Sequence, residues 1–284
     1  MTHPLLSPGH SAFVTGGAAG IGLALAKRFV AAGMTVCIVD KDEEALKEAA
    51  GVLTDLAGDR PDPVLAVAID VSNREAMEAL ADMIFGRWET VNVLVNNAGI
   101  QPGSGILGPK EAWDAVLSVN LGGVINGVQT FVPRMVAKGA PGLVVNTGSK
   151  QGITTPPGDP AYNVAKAGVK VLTEALEHEF RNMEGARLSA HLLVPGFVFT
   201  GLTAKGRTEK PDGAWTSEQT ADFALERIAA GDFYILCPDG EVTREMDAKR
   251  ILWAAGDIAE NRPPLSRWHP DYAERFKEWA SRPG

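Results

Sequence analysis

The chain has 284 residues, of which 31 are glycine, and its 27 basic and 35 acidic side chains leave a net charge of −8. Glycine is enriched over its usual ~7% share without any fixed period or matching abundance of proline, which excludes collagen and low-complexity disorder. An acidic chain has no general attraction for phosphate backbones or anionic membranes, so neither nucleic acid nor membrane is an expected partner.

No continuous apolar run approaches the ~18 residues that a membrane crossing needs. The segment Met1–Pro8 lacks a basic region followed by an apolar stretch, so no signal peptide is expected and the expected location is cytoplasmic. Cys37 and Cys237 are 200 positions apart in apolar, strand-like runs and read as buried thiols. The five histidines form no ligand-spaced cluster, so no metal is expected.

The front of the chain alternates short β-branched runs with helical patterns. Ala12–Thr15 is an apolar run that stops at Gly16 and Gly17. Ile21, Leu25, Phe29 and Ala32 fall at helical spacing, and Gly33 is a natural stop. Met34–Val39 is a second strand ending at Asp40, and Glu43–Leu56 a helix. Val64–Ile69 is a third strand ending at Asp70, and Asn73–Trp88 another helix. Val91–Val95 is a fourth strand, closed by Asn96, Asn97, Ala98 and Gly99. Residues 111–138 read as one long helix and Leu143–Asn146 as a fifth strand. Helices near 160–182 and 217–230 then alternate with strands near 187–194 and 232–237. The strands are continuously apolar, as in a parallel sheet covered on both faces. The pattern predicts an α/β fold, a single Rossmann-type doubly wound parallel sheet of about seven strands. Without an interrupting linker, residues 1–240 read as one domain.

The first strand runs into Gly16-x-x-x-Gly20-x-Gly22 and then a helix, the context of a dinucleotide loop. Gly16 makes the tight turn, Gly20 lets the backbone approach a pyrophosphate, and Gly22 allows close helix packing. Ile21 belongs to the same loop, and the helix N-terminus offers free N–H groups to phosphates. Asp40 lies 24 positions after Gly16, at the end of the second strand. A carboxylate there accepts hydrogen bonds from ribose hydroxyls and repels a 2′-phosphate, so NAD is expected over NADP despite the adjacent Lys41. The other reading of Asp40 is a cap for the following helix.

Tyr162 and Lys166 stand at i, i+4 on one helical face, with Asp159 as a plausible N-cap and Pro160 at the first helical position. Ser149 lies thirteen positions before Tyr162, and Asn120 sits inside a helix, where asparagine is disfavoured. A lone Tyr-x-x-x-Lys is a weak signal. The ordered series Gly16/Gly20/Gly22, Asp70, Asn96–Gly99, Asn120, Ser149, Tyr162/Lys166 and Pro195-Gly196 is a specific one. Over roughly residues 10–240 it resembles the short-chain dehydrogenase/reductase family.

That resemblance implies strand order 3-2-1-4-5-6-7 and hydride transfer between a nicotinamide cofactor and an alcohol or carbonyl. Tyr162 would be the proton-transferring group. Lys166 would lower its pKa and hold the nicotinamide ribose, and Ser149 would orient the substrate oxygen. Asn120 would hold a water leading from Lys166 to solvent. Asp70 and Val71 would meet the adenine, and Asn97, Ala98 and Gly99 would line the cofactor. Pro195, Gly196, Val198 and Thr200 would form the nicotinamide loop.

The chain departs from the family after the last strand, where 44 more residues follow Gly240 and carry Trp253, Trp268 and Trp279. Residues 244–255 and 270–280 read as helices of an extension, 241–284, packed on the domain or on a neighbouring subunit in a homodimer or homotetramer. Residues 201–215 read as a lid. Ile100, Ile153, Phe197, Phe199, Leu202 and Trp215 suggest pocket walls for a fairly bulky apolar or aromatic secondary alcohol or ketone. Lys150, Lys205 and Arg207 keep an anionic substrate open. The competing readings are a non-catalytic dinucleotide-binding regulator, an NADP-preferring carbonyl reductase and a methyltransferase.

Overall fold

Seven strands lie parallel in one sheet in the order β3-β2-β1-β4-β5-β6-β7, in a computed structural model that describes residues 3–204, 206–240 and 242–282. The strands are β1 Ser11–Thr15, β2 Thr35–Asp40, β3 Val64–Ala68, β4 Val93–Asn96, β5 Gly142–Thr147, β6 Leu188–Val194 and β7 Tyr234–Leu236. The covering helices are α1 Gly20–Ala31, α2 Glu43–Ala57, α3 Arg74–Arg87, α4 Lys110–Leu117, α5 Gly123–Lys138, α6 Gln151–Thr154, α7 Pro160–Asn182, α8 Gly201–Ala204 and α9 Ser217–Ala229. α10 Arg244–Ala259 and α11 Pro270–Ser281 form the C-terminal region.

The sheet is apolar on both faces because both are covered. Val14, Val36, Ile38 and Val95 pack under α1, α2 and α9, whereas Phe13, Leu94 and Val144 pack under α3, α5 and α7. Phe13 and Phe131 lie 4.2 Å apart between ring centres and pin α5 to the sheet. Full burial of each such side chain contributes about 1.5–3 kcal/mol.

β1 pairs with β2 on one side and β4 on the other. The chain leaves β1 toward opposite sheet edges, which opens a crevice beyond the carboxyl ends of these strands. Gly16, Asp40 and Asn97 all fall there.

The stretch expected to be one long helix is interrupted. Ser118–Gly122 forms a π turn between α4 and α5, with Asn120 fully buried within it. Here the Asn120 amide bonds both the N–H and the C=O of Ile100 at 2.8 Å. By length and mean hydropathy of 1.4 the Lys110–Lys138 segment could cross a membrane, but 56% of that window is buried in this fold. Its apolar face therefore serves as core.

In the C-terminal region, Trp253 is buried and meets Phe276 and Trp279 edge-on at 5.4 and 5.5 Å. The Trp253 indole N–H donates to Ser266 at 2.8 Å, and the Ser266 hydroxyl donates to Asp257 at 2.6 Å. Asp257 also holds Arg262, whose guanidinium lies 4.2 Å from the Trp253 ring centre.

Candidate active site

The glycine loop owes its shape to collisions that other residues would cause. Gly16 adopts φ +63°, and a β-carbon there would lie 2.9 Å from the Ala98 Cα. A β-carbon on Gly22 would strike the Gly16 carbonyl, so Gly22 lets α1 pack against the loop itself rather than against the strand. Gly20, at φ +56°, faces Thr200 across the opening. Thr15 braces the loop from below. Its hydroxyl accepts the N–H groups of Asn97 and Ala98 at 2.8 and 3.0 Å, joining the ends of β1 and β4.

These elements border a cleft of about 280 Å³. It brings together Gly16, Gly20, Ile21, Asp40, Asn97, Ala98 and Gly99 on one side with Ser149, Tyr162, Lys166, Pro195, Gly196, Val198, Thr200 and Leu202 on the other. A smaller adjoining recess, shared at Gly16, Asp40, Ala98 and Gly99, reaches Asp70, Val71 and Ile100. The cleft is thus elongated, with a carboxylate at one end and the Ser/Tyr/Lys group at the other.

Asp40 is not the cap of α2, because Asp42 accepts the Ala45 N–H at 3.1 Å in that role. Asp40 receives only long contacts, from Ala18 N–H at 3.4 Å and Asp42 N–H at 3.3 Å, which leaves acceptor capacity toward the cleft. Asp70 is held by the Ser72 hydroxyl and N–H at 2.7 and 2.9 Å, which keep its carboxyl below the usual range.

Tyr162 and Lys166 lie on the buried face of α7. Asp159 does not cap this helix through its side chain. It accepts from Ser104, whose oxygen in turn accepts the Ala161 N–H at 3.0 Å. The Tyr162 phenol is pushed up to about 12 by burial, with Ser149 acting in the opposite direction and Asp159 reinforcing the rise. Burial pulls Lys166 down to about 8, and its Nζ donates to the Thr147 carbonyl at 2.7 Å. The Lys166 ammonium sits 5.8 Å from the Tyr162 ring centre.

Four residues expected as pocket walls do not line the cleft. Phe197 and Phe199 sit on a backbone bracket in which Trp215 N–H donates to the Phe197 carbonyl at 2.9 Å and Phe199 N–H donates to the Trp215 carbonyl at 2.8 Å. Phe197 faces Arg207, and Trp215 packs on Phe223 rather than on the cleft. Ile153 faces a separate cavity shared with α10. The bracket also ties down both ends of the expected lid, whose start is the helix α8. Lys205 lies outside the described residues. The fully buried Asn120 stands behind the cleft, its amide accepting from the Ile100 N–H and donating to the Ile100 carbonyl.

The sequence reading missed Ala19, Thr147, Gly148, Gly201 and Thr203, which also line the cleft. Each lies within two positions of a residue that was recognised, so proximity in sequence was the available signal. It also missed the polar core beneath the site. The Asn96 amide donates to Asn146 at 2.8 Å, the Asn146 amide donates to Thr173 at 3.0 Å, and Gly127 is bare because any side chain would strike Asn96. Lys150 is engaged as well. Its ammonium lies 3.0 Å from Asp239 and 2.6 Å from Asp247 of α10, and Asp239 also accepts the Phe197 N–H at 2.8 Å. This ion cluster ties the Ser149 loop to the loop after β6 and to the C-terminal region.

Sheet order, crevice and glycine loop define a Rossmann-type nucleotide-binding fold. Residues 10–211 match the short chain dehydrogenase family. A 3-oxoacyl-[acyl-carrier-protein] reductase of Chlamydia muridarum is 34% identical over 206 residues, 72% of this chain and 80% of that one. A short chain dehydrogenase/reductase of Burkholderia phymatum in complex with NAD superposes with a TM-score of 0.79 at 31% identity, covering 90% of this chain and 96% of the other. The Pseudomonas aeruginosa RhlG/NADP complex gives 0.70 at 28% identity, covering 81% and 93%. The chain therefore belongs to the short-chain dehydrogenase/reductase family and is an oxidoreductase, with neighbours that bind NAD and NADP.

Proposed function

We propose that the protein transfers hydride between NAD(H) and a secondary alcohol or ketone, with Tyr162 as the general acid/base. The observation that carries this reading is the meeting of Ser149, Tyr162 and Lys166 at one end of a single cleft whose other end holds Asp40. A dinucleotide suits the cleft, since a β-carbon at Gly16 would meet Ala98, and Asp40 keeps acceptor capacity for ribose hydroxyls. A bound nicotinamide supplies the hydride acceptor or donor.

Tyr162 gives or takes the proton at the substrate oxygen while Ser149 orients that oxygen by hydrogen bonding. For carbonyl reduction the neutral phenol is the required form, and a pKa pushed up to about 12 keeps it neutral. For alcohol oxidation the phenolate must be reached. Moving about five units toward neutrality needs roughly 7 kcal/mol of differential stabilisation at ~1.4 kcal/mol per unit. Lys166 and Ser149 supply it together with the positive charge of an oxidised nicotinamide. The Asn120 amide is committed to Ile100, so a water serving Lys166 would bind main-chain carbonyls that the π turn releases from regular pairing.

Leu202 borders the cleft and Ile100 its adjoining recess, which supports an apolar substrate. Residues 1–240 act as the catalytic domain, 201–215 as its lid and 241–284 as an extension, in a homodimer or homotetramer. Light scattering of the full chain tests the assembly, and a monomer refutes it. Titrating NADH and NADPH by nicotinamide fluorescence should give at least tenfold tighter NADH binding. Tyr162→Phe should abolish NAD reduction over a panel of secondary alcohols and keep NADH binding. Equal or tighter NADPH binding refutes the cofactor assignment, and a fully active Tyr162→Phe refutes the mechanism.

A further inference from the structure

A second cavity, of about 420 Å³, opens between α6 and the C-terminal region and shares no lining residue with the nucleotide cleft. Its walls are largely apolar, with Ile153, Ile258, Leu265 and Trp268 among them, yet Arg250 and Arg267 also line it. Ile258 and Trp268 remain 86% and 43% exposed, an apolar rim open to solvent.

Among the described residues, neither arginine is fully satisfied. The Arg250 Nε is buried without a hydrogen-bond partner, and its other end makes only a long ion pair, 3.8 Å, with an Asp247 that Lys150 holds at 2.6 Å. Among the described residues, Arg267 has no carboxylate within ion-pair distance. It is held by aromatic rings instead, 4.3 Å from the centre of Trp268 and 5.3 Å from that of Phe276. Burial and the neighbouring Arg250 together pull the Arg267 guanidinium down to about 10. Asp247 opposes this only in part, and Asp257, which also lines the cavity, is turned to other partners. Asp239 and Asp247 share Lys150, and Asp257 is committed to Arg262 and Ser266.

Two half-buried guanidiniums facing one apolar cavity repel each other and lose hydration, a cost that a bound anion removes. A guanidinium stacked on rings keeps its N–H edge directed outward, the geometry that grips a carboxylate through two hydrogen bonds. The backbone at the rim is strained. Thr155 and Leu265 have φ of 42° and 57°, a conformation uncommon for any residue but glycine and costly for a β-branched one. Such strain gathers at ligand clamps.

We infer that this cavity is a binding site for an amphiphilic carboxylate, with the apolar body against Ile153, Ile258 and Trp268 and the carboxylate on Arg250 and Arg267. The site is distinct from the nucleotide cleft and does not depend on the hydride-transfer reading.

The test is calorimetric titration of the full chain with decanoate, decanol and acetate, with and without saturating NADH. Decanoate should bind at one site per chain, and decanol and acetate at least tenfold more weakly, because each lacks half of the recognised chemistry. Arg250→Met and Arg267→Met should each weaken decanoate tenfold or more. Since Arg267 also supports aromatic packing, Ala255→Phe provides a variant that fills the exposed mouth and leaves both arginines in place, and it should abolish binding. NADH should leave decanoate affinity unchanged. Equal binding of decanol, or unaltered decanoate affinity in the arginine and Ala255 variants, overturns the inference. So does competition by NADH, which would place decanoate in the cleft. Absence of any binding overturns it too, as when a second copy of the chain covers the cavity.

Discussion

Lys150→Met is the substitution that most directly tests how the C-terminal region is joined to the catalytic loop. The Lys150 ammonium is only 15% exposed and stands between Asp239 and Asp247, which are 17% and 5% exposed. Methionine keeps the volume and removes the cation, leaving two carboxylates facing each other out of water. Breaking a buried ion pair from one side costs about 3–5 kcal/mol. At 2–4 °C per kcal/mol for a chain of this size, even the lower figure lowers Tm by roughly 6–12 °C.

The pH dependence has a definite sign. Burial already raises the Asp247 carboxyl and Lys150 opposes that rise, so removing Lys150 raises it further. A raised carboxyl binds protons in the folded state that the unfolded chain has released, so stability falls as pH climbs through that window. The deficit of Lys150→Met relative to the parent protein should therefore be large at pH 8 and smaller at pH 5. Lys150→Met/Asp247→Asn should recover much of the loss. Thermal unfolding followed by circular dichroism at both pH values measures this. An unchanged Tm at pH 8, or a deficit that grows on acidification, would refute the reasoning.

Four further outcomes follow from the same geometry. Tyr162→Phe should lower kcat by at least ~10²-fold, the usual scale of a positioned acid/base, with NADH affinity unchanged by fluorescence titration. Gly22→Ala, whose methyl would strike the Gly16 carbonyl, should cost about 1–3 kcal/mol and weaken NADH tenfold or more. Gly51→Ala, in the middle of α2 with open space around it, should instead stabilise by up to ~1 kcal/mol, and parallel denaturant melts separate the two. Lys166 is charged in both states below pH 8 and bears its burial penalty there in full. Between its folded value of about 8 and the ordinary 10.5, stability should rise with pH, a rise that Lys166→Met abolishes. Paired melting curves from pH 8 to 10 read it before Tyr162 begins to act in the opposite sense.

Much of this molecule was legible along the chain because its signals are local. An apolar run ending in Gly16 sets a strand and its turn, and the i, i+4 spacing of Tyr162 and Lys166 on a helix begun by Pro160 places both on one face. Asp40 marks the end of its strand by position alone. These features depend on periodicity and backbone geometry, which neighbouring residues fix among themselves.

Other features depend on what distant segments bring. At the break in the long helix, the Asn120 amide meets Ile100, twenty residues earlier in the chain. Lys150 reads as a cation near the catalytic serine, and only folding delivers Asp239 and Asp247 to neutralise it. Phe197, Phe199 and Ile153 carry the right chemistry for a pocket, but the Trp215 bracket and α10 turn them elsewhere. The pKa values of Tyr162 and Lys166 likewise belong to the fold, since desolvation has no sequence signature. By itself the sequence determined the strands, the glycine turn and the residues able to do the chemistry. The tertiary structure decided which of them share a cleft and what charge each carries, because burial and pairing arise only when segments far apart in the chain come into contact.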